Sequence, residues 1–147
     1  MDQAQVNETL QRLSAQLNRT TSGSPAFRQL AAQEEAIVFA DLDVHAWGFL
    51  QAALGRPLAA GETAAVIAAA SRDQPISSVL PLAAGADTAL TVRVLRHRRD
   101  WTQAHLAEAA RVSVAQVQAI ETADAVDLTA LQSVLVALGR HLVVAPA

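Results

Sequence analysis

Asp41, Asp43 and His45 come nearest, in type and spacing, to a chemical centre in this 147-residue chain. They alternate directly after the apolar run Ile37 to Ala40, so on a strand all three side chains would share one face. Two carboxylates and an imidazole are hard-to-borderline ligands that suit a divalent cation. The same triplet is common where a helix begins, because a carboxylate caps the opening backbone N–H groups. Capping is the expectation here, with Ala36 to Ala40 reading equally as a short strand or as helix.

An apolar run followed by aspartates two positions apart superficially resembles the nucleophile motif of haloacid-dehalogenase-like phosphatases. That chemistry needs a lysine or its equivalent, further carboxylates for magnesium and a much longer α/β chain, and this chain has no lysine. His97, His105 and His141 show no metal-ligand spacing and fall among arginines or on helix surfaces. No serine can be matched with a histidine and an acid from sequence. No enzyme activity, metal or cofactor is expected.

Nucleic-acid binding remains, and charge bears on it. Residues 1–87 carry five arginines against nine acids, whereas residues 88–147 carry six against five. The C-terminal part is the better candidate, although its excess is feeble for a polyanion. Apolar content of 52% is ample for a core, but aromatics supply only 3%, so alanine and leucine must fill it. Such segments favour helices. Without cysteine there are no disulfides or thiolate metal sites. No charged segment leading into an apolar one opens the chain, and no apolar run reaches bilayer length. A cytoplasmic protein without a membrane association is the expectation.

Four helices are expected in the first part. Val6, Leu10, Leu13 and Leu17 recur at helical spacing. Ser24 and Pro25 read as cap and first residue of a second helix carrying Phe27, Leu30, Ala31, Ile37 and Val38. Val44 to Leu54 and Gly61 to Ala70 complete the set. Gln74 to Ala86, with Pro75, Pro81 and Gly85, reads as a loop between two halves, 1–80 and 81–147.

The second half opens with a helix from Asp87, taken as its cap, to Arg99. Thr102 caps the next, which turns Leu106, Ala107 and Ala110 inward. Arg111 and Val112 form a tight join, and Ser113 caps a short helix burying Val117 and Ile120. Two helices of about two turns cannot hide their faces alone, so Asp87–Arg99 and Leu128–Leu138 must flank them. Trp101 is expected in the core at the first joint. Arg140 to Val144 is β-rich and reads as a short strand with an unpaired edge.

This segment resembles the Xre, or phage-repressor-like, helix-turn-helix family. The positions that carry the resemblance are Thr102, Gln103, Leu106, Ala107, Ala110, Val112, Ser113, Val117, Ile120, Glu121 and Leu131 through Gly139. It implies an all-α fold: a helical N-terminal region followed by a lambda-repressor-like helix-turn-helix domain with a short C-terminal strand. It also implies an ion pair between Arg96 and Glu121, and a strand that pairs with its copy in a homodimer.

Carried over position by position, the resemblance assigns base contacts to Ser113, Val114, Ala115 and Ala119, with Gln116 and Gln118 nearby. It assigns phosphate contacts to Gln103, supported by Arg98, Arg99 and Arg111. Val114 and Ala115 can touch a thymine methyl, and an outward Gln116 or Gln118 can bond adenine. Asp124 and Asp127 depart from the family, because they would repel the DNA backbone.

The implied function is a dimeric, sequence-specific transcriptional regulator that binds double-stranded operator DNA. A helical N-terminal region ahead of such a domain is similar in architecture to the HigA-type antitoxins, which neutralise a small toxin and repress their own operon. No toxin-binding residue can be matched. The alternative is a protein-interaction module that keeps the fold and has lost DNA binding.

Overall fold

Side-chain oxygens open most of the helices. A computed structural model of the chain describes residues 1–144 and 146, and divides into two units, Met1–Leu82 and Ala83–Ala147. The described residues form eight α-helices and one 3-10 turn, with no strand, so the fold class is all-α. The first unit holds α1 (Gln3–Arg19), α2 (Pro25–Val38), α3 (Val44–Leu54), α4 (Ala60–Ser71) and the 3-10 turn (Ile76–Ser78). The second holds α5 (Ala84–Arg98), α6 (Gln103–Ala110), α7 (Val114–Glu121) and α8 (Leu128–Ala137).

Asp2, Ser24, Asp43, Thr102, Ser113 and Asp127 each accept the backbone N–H three residues on. Each satisfies a donor that a helix start leaves orphaned. Helices α4 and α5 begin at Ala60 and Ala84 with no side-chain acceptor at the cap. Asp87 is therefore not the cap expected of it. The cap falls on Ala83, four residues earlier, which leaves the Asp87 carboxylate in the first turn, beside the positive end of the helix.

In the first unit α1 packs on α2 and α4, burying Val6 and Leu13. Ala64 through Ala70 of α4 are buried in unbroken sequence, so this helix is covered on every side. Its small side chains let neighbours approach closely, which suits a core almost without aromatics. Trp47 of α3 is buried, and its indole N–H donates to the Val38 carbonyl at 3.0 Å, closing the end of α2. Ala36 to Val38 is thus the last turn of α2 rather than a strand. The stripe Phe27, Leu30, Ala31, Ile37 and Val38 is only half covered. The segment expected as a loop from Gln74 is pinned by buried Ile76 and Leu80.

The second unit gathers Val92 and Leu95 of α5, Leu106 of α6, Val117 and Ile120 of α7, and Val134 and Leu138 at α8 into one core. Trp101 packs against it half-buried and stacks on His105, ring centroids 4.6 Å apart. Helices α5 to α8 end alike, in a left-handed residue flanked by backbone bonds back to the last turn. Asp100, Arg111 and Ala123 take this conformation without being glycine, and Gly139 takes it at the end of α8.

The tail departs from expectation. Arg140 to Val144 is irregular and exposed; the Arg140 N–H donates to the Leu135 carbonyl at 2.8 Å and the Leu142 N–H to Oε1 of Gln132 at 3.2 Å. A lone β-prone segment has no ladder partner within one chain.

Candidate functional site

One carboxylate fixes three helices of the second unit. Glu121 ends α7 and is the buried charged residue among those described, at 0% exposure. Nε of Arg96, from α5, lies 2.5 Å from its Oε1, and the Arg96 NH2 donates to Oε2 at 3.1 Å. Gln103, at the start of α6, donates its amide to Oε2 at 2.7 Å. Arg93, one turn before Arg96, donates Nε to the Glu121 backbone carbonyl at 2.8 Å. The remaining Arg96 nitrogen, NH1, donates to the Trp101 carbonyl at 2.9 Å. A buried charge is tolerable only when paired and bonded in this way.

The arrangement orients α7. Val117, Ile120 and Glu121 face inward, whereas Val114, Ala115 and Gln118 are exposed, with Ala119 half-buried beside them. These four lie three and four apart and so share a surface. Ser113 and Gln116 sit at its leading end but are bonded to each other. The Ser113 hydroxyl accepts the Gln116 N–H at 3.1 Å, and Gln116 Oε1 accepts the Ser113 N–H at 2.9 Å. That reciprocal pair was legible as a serine followed three positions on by a glutamine.

Two residues assigned to phosphate by the resemblance have other partners. Gln103 holds the Glu121 carboxylate. Arg99 donates NH1 to the Leu95 carbonyl at 3.1 Å and NH2 to the Leu138 carbonyl at 2.9 Å, clamping the end of α8. Its guanidinium also lies 5.8 Å from the Trp101 ring centroid. Arg98, Arg99 and Arg111 are all exposed. Asp127 caps α8 through Ala130, and Asp124 accepts from the Thr122 hydroxyl at 2.6 Å. These two acids shape the turn between α7 and α8. Nothing in the sequence signalled the Arg93 and Arg99 contacts, because long side chains find carbonyls that only the folded backbone brings near.

In the first unit, Asp43 caps α3 by accepting the Ala46 N–H at 2.8 Å, and His45 is exposed on the first turn of that helix. Among the described residues no three histidines, cysteines or acids gather as a metal site would require. A groove of about 490 Å³ runs beside α1, lined by Leu10, Ser14 and Ala15 with Glu34 and Val38 of α2 and Thr63 of α4. Among the described residues no helix is long and apolar enough to cross a membrane.

No protein-family model, no curated protein and no solved structure matches this chain.

Proposed function

We propose that the chain is a DNA-binding transcriptional regulator whose C-terminal unit is an Xre-type helix-turn-helix head. In this reading α6 and α7 are the paired helices and α7 enters the major groove of an operator. The observation that carries it is the buried Glu121, held by Arg96 and Gln103, which turns Val114, Ala115, Gln118 and Ala119 outward together. Arg98 and Arg111 supply phosphate contacts. The protein acts in the cytoplasm as a homodimer, without a cofactor and not as an enzyme.

Dimerisation draws support from Leu142, Val143 and Val144, apolar and exposed at the end of the chain, where a second copy can supply the missing strand partner. The N-terminal unit, with its half-covered α2 and its groove, serves dimerisation or holds a small protein, as an antitoxin holds its toxin.

A second reading, a protein-interaction module without DNA binding, is favoured by the acids between α7 and α8 and by the sparse charge of the α7 face. Fluorescence anisotropy with random-sequence duplex decides between them. The regulator binds at about 50 mM salt and weakens as salt rises. A folded protein that binds no duplex there, and co-purifies with a protein partner, establishes the alternative.

A further inference from the structure

Subtraction leaves one side chain on α7 able to name a base. The second unit contains four glutamines, and three have their amides engaged within the chain. Gln103 bonds the Glu121 carboxylate, Gln116 bonds Ser113, and Gln132 accepts the Leu142 N–H. Gln118 is exposed, and its amide bonds to none of the described residues. Thr122, one turn on, has its hydroxyl committed to the Gln118 carbonyl at 2.9 Å and to Asp124. The other outward residues, Val114, Ala115 and Ala119, offer only methyl groups.

We infer that Gln118 sets the sequence preference of the α7 surface by reading one adenine through its N6 and N7 edge. A primary amide presents one donor and one acceptor side by side, the complement of adenine in the major groove and of no other base there. Val114 lies one turn before Gln118 and is 40% exposed, and Ala115 lies three positions before it. Both are placed to meet thymine methyl groups on neighbouring pairs. The contacted step is therefore rich in A·T pairs, with Gln118 giving direction and the two apolar side chains giving shape. Gln116 does not share this task, because a residue holding the cap of its own helix cannot also reach a base.

The inference rests on the DNA-binding reading, and enrichment of a random duplex pool separates the two. The wild-type protein is expected to enrich an adenine at a fixed position. Gln118→Ala then loses that preference by about tenfold or more, whereas Gln116→Ala lowers stability and keeps it. Replacing that adenine by 7-deazaadenine weakens the wild-type complex and adds no further loss to Gln118→Ala. An unchanged consensus in Gln118→Ala overturns the inference while DNA binding stands. So does a guanine preference that vanishes with Arg111→Ala. A wild-type protein that enriches nothing removes the DNA-binding reading itself.

Discussion

The amide nitrogen of Gln103 lies 2.7 Å from Oε2 of Glu121, so the residue that opens α6 is fastened to the residue that closes α7. Arg96 alone would fix α7 to α5. Adding Gln103 fixes the angle between α6 and α7, and with it the direction in which Ala115 and Gln118 point. Such a network does more to specify one arrangement than to add net stability, because burying the charges offsets much of their attraction.

Removing one partner strands the other. Glu121→Gln or Arg96→Ala is expected to lower unfolding free energy by about 3 kcal/mol, read from urea denaturation with an unchanged slope. Parental stability in Glu121→Gln would show that the pair carries no buried charge.

At Gln103 the sign of the new charge discriminates. Gln103→Ala leaves Arg96 in place and costs about 1.5 kcal/mol, typical of a hydrogen bond to a charged group. Gln103→Glu sets a second carboxylate against Glu121 and costs more. If Gln103 served only phosphate, neither change would shift the thermal midpoint.

Arg98 and Arg99 are neighbours with separate tasks. Arg99→Ala releases the Leu95 and Leu138 carbonyls and is expected to cost about 1 kcal/mol of stability. Arg98→Ala removes a charge from the exposed end of α5. It weakens binding to all duplexes alike, lowering the salt slope by about one. Equal effects of the two on both quantities would contradict this division.

Ala123 closes α7 at φ 58, a conformation that suits glycine. Ala123→Gly relieves about 1 kcal/mol of backbone strain but adds freedom to the unfolded chain worth up to about the same. A net gain of about 0.5 kcal/mol is expected by denaturant titration. Gly139→Ala should destabilise instead, for backbone reasons alone, since the added Cβ would lie at an ordinary 3.6 Å from the Arg99 NH2.

In the first unit the Arg56 guanidinium bonds both oxygens of Glu62, at 2.8 and 2.7 Å, and the Ala59 N–H adds a third bond. These hold the Glu62 carboxyl down to about 2, from an ordinary 4.5. The folded value lies below the unfolded one, so the contribution is present above about 4.5 and is lost as pH falls toward 2. Solvent screening keeps it small. An NMR titration of Glu62 should place the midpoint near 2, and Arg56→Gln should return it toward 4.5.

Helix positions were legible where a short polar side chain precedes an apolar stripe. Ser24, Thr102 and Ser113 cap as their types suggest, because capping is a local geometry. Asp87 misled, because the helix begins at Ala84 without a side-chain cap and takes Asp87 into its first turn. The link from Arg96 to Glu121 spans 25 positions, and no periodicity connects them. It came from the resemblance. Asp127 read as a loop charge and is a cap, while Gln103 and Arg99, assigned to phosphate by the resemblance, bond to partners within the chain. Their reach lets tertiary geometry choose the partner.

The orientation of α7 is the centre of the account, and amide chemical shifts measure its consequence directly. On titrating labelled protein with duplex DNA at about 50 mM salt, the shifts should concentrate at Val114, Ala115, Gln118 and Ala119, with Arg98 and Arg111. They should leave Val117 and Ile120 comparatively still. Shifts confined to residues before Ala83, or none at all, would contradict it.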